Sequence, residues 1–176
     1  MTEKEDKQIS LMKQAAGIAK RAQIHGIALS DARVRRRVGD LPDSIRLTYG
    51  FRDKYSFEPE SKELSVLVQF MLGASPSDVP DENADACFRL EAAFSLRYEM
   101  SGDEPCDDDQ LKAFARMNGI YNAWPYWREY VQSTVSRMGL APVTVPLLTG
   151  QAIERMIRDQ EASSEESVEE SNSESR

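Results

Sequence analysis

The chain is short of the residues that do chemistry. It has one histidine, His25, and two cysteines, Cys87 and Cys106, in 176 residues. No Cys-x-x-Cys or Cys/His spacing is present, so a zinc site within the chain is not expected. Two unpatterned cysteines fit reduced thiols in a cytosol. Positive charge is outnumbered, 22 Lys and Arg against 30 Asp and Glu. Net charge is −8, which argues against general binding to nucleic-acid backbones, since those want a basic footprint. Long apolar runs are missing too. The longest, Leu64 to Ala74, is too short to span a bilayer and contains Gln69. The first ten residues, MTEKEDKQIS, carry charge with no apolar stretch behind it, so no signal peptide is read there. The expectation is a soluble cytoplasmic protein with no membrane insertion and no cofactor.

What is present is alternation. Ile45, Leu47, Tyr49 and Phe51 share one parity, continued by Tyr55 and Phe57. Leu64, Val66, Val68, Phe70 and Leu72 form a second series, and every second residue from Ala86 to Met100 a third. The residues between them are largely polar. Period-two patterning of this kind predicts strands with one dry and one wet face. Ala22 to Arg37 reads as a fourth strand. Its apolar parity switches at Gly26-Ile27, which predicts a bulge there. It ends in Arg33, Arg35, Arg36 and Arg37, either a solvated strand end or a docking patch for an acidic partner.

Helical spacing brackets the strands. Ile9, Met12, Ala16 and Ala19 predict an N-terminal helix within residues 1–21. Asp107 with Gln110 resembles a capping box, and Leu111, Phe114, Ala115 and Met117 give the helix an apolar face. Asn118-Gly119 reads as its stop, and Pro125 as the start of a second helix ending at Gly139. Five aromatics crowd this junction: Tyr121, Trp124, Tyr126, Trp127 and Tyr130. Tyr126 and Trp127 are adjacent on a helix, so they must face different surroundings. The acidic cluster from Asp103 to Asp109 lacks the spacing of a calcium loop and suits a helix N-terminus. Beyond Gln160 the chain is mostly Glu and Ser, which predicts a disordered acidic tail within 149–176, after a short helix.

The run Ala123-Trp124-Pro125-Tyr126-Trp127-Arg128-Glu129-Tyr130-Val131, then Ser136-Arg137-Met138-Gly139 and Leu140-Ala141-Pro142-Val143-Thr144-Val145, resembles the SecB family of export chaperones. The resemblance spans residues 22–148. It implies an α+β fold, a four-stranded antiparallel sheet with C-terminal helices on one face. It also implies that two sheets join in a dimer and two dimers pair into a homotetramer. The implied function is that of an ATP-independent holdase. Such a protein grips unfolded preproteins in apolar grooves and keeps them competent for translocation by the Sec pathway.

On this sequence the implied client-binding residues are Phe51, Tyr55, Phe57, Trp124, Tyr126, Trp127, Tyr130, Leu140, Val143, Val145 and Leu147. Phe88, Leu111, Phe114, Met117 and Tyr121 are the implied oligomer interface. SecB hands clients to the SecA motor through acidic residues on its outer sheet face. The counterparts here are Glu91 and Glu99, beside Cys87 and Arg89. The loop Ser75 to Asp85 and the N-terminal helix look more like SecB-like chaperones that accompany toxin–antitoxin pairs. A chaperone dedicated to one antitoxin is therefore the second reading. An enzyme on a helix-covered sheet is the third, and His25 has no acid partner in motif spacing to support it.

Overall fold

The computed structural model describes residues 12–37, 42, 44–78, 86–149, 152, 153, 155–157 and 159. Two compact units are formed, Met1–Val145 and Pro146–Arg176. The unit boundary thus falls at 145/146, and residues 12–21 group with the sheet. The first eleven residues, most of the turn at Gly39–Asp43, the later part of the loop Ser75–Asp85 and the acidic tail lie outside the described residues.

The four alternating segments form strands β1 (Ala22–Arg36), β2 (Ile45–Glu58), β3 (Glu63–Pro76) and β4 (Phe88–Met100). They make one antiparallel sheet in the order β1-β4-β3-β2, so β1 and β2 are its edges. Register sets the faces. Phe51 pairs with Phe70, which pairs with Ala92, and Val68 pairs with Phe94. These parities point to one side, and that side is the core: Leu64, Val66, Val68, Phe70, Leu72, Leu90 and Leu96 are all enclosed. Each such side chain contributes about 1.5–3 kcal/mol of burial.

β1 keeps its apolar residues on the same side by means of two register shifts. One lies between Ile24 and Gly26, the other between Leu29 and Asp31. His25 and Ser30 are the extra residues, and the Ser30 hydroxyl donates to the Ala93 carbonyl at 3.0 Å. The first bulge is one residue earlier than the sequence suggests. It places Ile24 with Ile27 and Leu29, and Gly26 on the opposite face. The second had no sequence signal: it follows from Ala32 and Val34 facing Ala92 and Leu90.

Three helical segments cover the sheet. Helix α1 (residues 12–19) buries Ala15 and Ile18, not the stripe of Met12, Ala16 and Ala19 that spacing suggested. Its end is tied down by Arg21, whose guanidinium donates to the carbonyls of Ser101 (3.0 Å) and Glu104 (2.6 Å). Helix α2 (Asp108–Phe114) begins as expected, with the Asp107 carboxylate accepting the Gln110 backbone N–H at 3.2 Å.

The expected stop at Asn118-Gly119 does not occur. The chain runs on as a π-helical turn, Ala115–Gly119, straight into α3 (Ile120–Arg137). Gly119 serves a packing role instead. A Cβ there would meet Val66 Cγ1 at 2.8 Å and Val68 Cγ2 at 3.3 Å, so only glycine lets the turn lie directly on β3. Pro125 is correspondingly inside α3 rather than at its start. Its missing N–H leaves the Tyr121 carbonyl without the usual helical donor, which is tolerable on a side that faces outward. The end of α3 agrees with the sequence. Gly139 adopts φ +69 after the cap at Met138, and Leu140 N–H donates back to Val135 at 3.3 Å.

In the second unit, the Thr149 hydroxyl accepts the Ala152 N–H at 3.2 Å and its carbonyl accepts the Ile153 N–H at 3.0 Å. That caps a short helical turn, described at residues 152, 153 and 155–157.

Candidate binding surface

The helices cover β2, β3 and β4 but leave β1 open. On the helix side of β1 the row Ile24, Ile27, Leu29, Ala32 and Val34 runs the length of the strand. Leu29 is 52% exposed and Val34 47%. Tyr126 on α3 overlooks this row. Its ring lies 6.4 Å from that of Phe94, the residue paired with Leu29, and is 49% exposed. An apolar row rimmed by polar groups and left open is a candidate surface for a partner.

The junction aromatics divide between two tasks. Trp127 is 1% exposed, stacked on Phe70 at 5.5 Å and on Tyr130 at 5.9 Å. Trp124 meets the edge of the same Phe70 ring at 5.5 Å and is buried. These contacts fasten α3 to β3. Tyr126, next to Trp127, points outward, as helical geometry requires. Of the other client candidates, Phe51 and Val145 are buried. Tyr55, Phe57, Tyr130, Leu140 and Val143 are half-buried, and Leu147 falls in the second unit. The Arg128 guanidinium donates to the Val145 carbonyl at 2.9 Å, which holds the exit segment against α3.

Four of the five oligomer candidates are enclosed within the chain itself. Phe88, Leu111, Phe114 and Met117 are buried, and Phe114 packs edge-on against Tyr98 at 5.1 Å. Within one chain these four side chains serve the core. Tyr121 alone is exposed. The residues that spacing overlooked are Leu29 and Val34 on β1 and Tyr49 on β2, all on the helix side and all open. Their signal was ordinary strand alternation, which does not tell a covered face from an uncovered one.

Charge surrounds rather than fills these surfaces. The Tyr55 hydroxyl donates to Asp108 Oδ1 at 2.9 Å, tying β2 to the start of α2. Burial, then the Asp108 carboxylate, raises the Tyr55 pKa. Asp53 interrupts the apolar parity of β2. Burial raises its pKa, while Arg116 and Lys112 pull it the other way. On the outer face Glu91 is bound by Arg89 at 2.8 Å, and Glu99 lies 2.9 Å from His25. Among the described residues no group of acids, histidines or cysteines is arranged to hold a metal ion, and no helix is long and apolar enough to cross a membrane.

A helix-covered four-stranded antiparallel sheet is the frame that carries this candidate surface. The comparisons sharpen this. The chain is 28% identical over 166 residues to two curated proteins from strains of Mycobacterium tuberculosis, SecB-like chaperone MT2006 and SecB-like chaperone Rv1957. Each match covers 85% of this chain and 90% of the relative. A solved structure of the Rv1957 SecB-like chaperone, in complex with a ChAD peptide from the Rv1956 HigA1 antitoxin, superposes with a TM-score of 0.68. That match has 22% sequence identity and covers 79% of this chain and 99% of that one. No protein-family model matches the chain. In sequence and in fold the chain is similar to these SecB-like chaperones.

Proposed function

We propose that this chain is an ATP-independent chaperone, not an enzyme, that holds unfolded polypeptide, and that its client is the unfolded segment of an antitoxin. The observation that carries this reading is the open apolar row of β1 beside Tyr126. Holding needs dry surface kept accessible, and many weak apolar contacts on one surface add through effective concentration. Tyr130, Leu140 and Val143 extend the surface along α3 and its exit, and Tyr55 and Phe57 supply a second one on β2. Trp124, Trp127, Phe51 and Val145 support it from beneath.

Two things favour an antitoxin over preproteins bound for SecA. The SecB-like relative of known structure holds an antitoxin peptide. Glu91 and Glu99, the docking candidates on the outer sheet face, are already engaged by Arg89 and His25. The uncovered β1 edge also suits pairing with a second copy.

The test is to mix the protein with a chemically unfolded client and follow light scattering. Suppressed aggregation at stoichiometric ratios is expected, as is its loss in Tyr126→Ser with Leu29→Ser. Unsuppressed scattering by the parent protein would sink the holdase reading. A pull-down with an antitoxin encoded alongside and, separately, with SecA distinguishes the clients; capture of SecA alone would favour export.

A further inference from the structure

The outer face of the sheet, away from the helices, has a feature the holdase reading does not use. Strand alternation divides the arginine run at the end of β1. Arg36 points to the helix side, where its guanidinium donates to the Met138 carbonyl at 2.5 Å, at the C-terminal end of α3. That is a structural role, a cation on the negative end of a helix. Arg33 and Arg35 have the opposite parity and lie on the outer face.

Register then gathers arginines from neighbouring strands. Arg35 stands directly opposite Arg89, and Arg33 opposite Glu91. Arg46 projects from β2 at the same end, paired in register with Ser75, but it is engaged, its guanidinium donating to the Ser77 carbonyl at 3.0 Å. Like charges opposite one another in a sheet are unfavourable, so folding alone gives no reason to keep Arg35 against Arg89. Local acids answer only part of this charge: Asp31 lies 3.6 Å from Arg33, and Glu91 2.8 Å from Arg89. No acid opposes Arg35 among the described residues. Gly73 and Gly50 lie between the arginines, and the space beside each is taken by a neighbour's side chain, Thr48 and Met71.

We propose that this end of the outer face docks a short, extended acidic segment of a partner protein. Arg33 and Arg35 are alternate residues of one strand, about 6.6 Å apart. Carboxylates at alternate positions of an extended segment repeat at the same interval, and each guanidinium offers a planar fork to a carboxylate. The other end of the face excludes a long polyanion such as a nucleic acid. There Glu58, Glu63 and Glu99 stand opposite one another across three strands. They lie ten residues along β4 from Arg89, a distance of about 33 Å. The segment that fits is therefore acidic only over a few residues.

The test is fluorescence anisotropy with a labelled octapeptide of alternating Glu and Ser, and with its Gln-for-Glu counterpart. The Glu peptide is expected to bind, more weakly as salt rises, and the Gln peptide not to bind. Arg33→Glu with Arg35→Glu should weaken the Glu peptide at least tenfold. Arg35→Glu puts a carboxylate opposite Arg89, but Arg33→Glu puts one opposite Glu91; Arg33→Gln with Arg35→Gln is therefore the second variant, which should also weaken the Glu peptide while its Tm and suppression of client aggregation match the parent. Wild-type affinity in either double variant would overturn the proposal. So would an oligonucleotide of equal charge that binds more tightly than the peptide. Neither result bears on client holding, which uses the helix side.

Discussion

β1 and β4 lie side by side, carry apolar residues on the same face and were drawn from the same alternation, yet they meet opposite fates. Leu90 and Leu96 on β4 are fully enclosed, while their register partners Val34 and Ile27 on β1 are open or half-open. The difference is not in the strands. It arises because the continuous helix from Asp108 to Arg137 is seated over β2, β3 and β4. Gly119 presses it onto Val66 and Val68, and Trp124 and Trp127 clamp it on Phe70. Alternation says which way a side chain points. Whether anything waits there is decided by one glycine and two indoles far along the chain.

That contrast can be broken at several points. The largest effect is expected from Trp127→Ala, which removes the ring stacked on Phe70. A loss of about 3–5 kcal/mol should appear in urea denaturation; a loss below 1 kcal/mol would mean that the clamp lies elsewhere. Gly119→Ala comes next. Its Cβ would overlap Val66, and lifting the π turn should cost about 1–3 kcal/mol in the same measurement. An unchanged midpoint would show that the close approach is not needed. On the open strand, Leu29→Ser with Val34→Ser should alter stability by no more than about 0.5 kcal/mol per site if nothing covers them. Client holding or the mass seen by light scattering should change all the same. A strongly destabilised protein would mean that the row is covered in solution.

The smallest effect concerns Asp53. Burial raises its folded pKa above the unfolded value, so between the two the folded state holds more protons. Stability is therefore lost as pH rises through that window. Asp53→Asn should gain on the parent protein over the same window and hold its lead at neutral pH, read from denaturation midpoints at acid and neutral pH. A lead that shrinks as pH rises would mean that the pairing with Arg116 and Lys112 outweighs burial.

Much of this architecture could be read from residues alone, and the failures share a cause. The alternation from Ile45 to Met100 marked three strands because each has one wet face. Asp107 and Gly139 marked helix ends because their bonds are local. Gly119 and Pro125 misled because their reasons are not local: one is a close approach to β3, the other lies on an outward side of a helix fastened elsewhere. Of the binding surface, Tyr126 stood out as a ring that could not share a pocket with Trp127. Leu29 and Val34 did not stand out, since what distinguishes them is an absence of cover.

The two bulges of β1 have a consequence for how the strand can change. Inserting one residue shifts the phase of everything after it by half a period. A bulge absorbs that shift, and His25 and Ser30 are the residues absorbed. Deleting His25 would let Gly26 follow Ile24 with Ile27 still opposite Leu96, and deleting Ser30 would let Asp31 follow Leu29 with Ala32 still opposite Ala92. A single deletion at either bulge should therefore be tolerated, whereas one elsewhere in the strand would turn the residues up to the next bulge inside out.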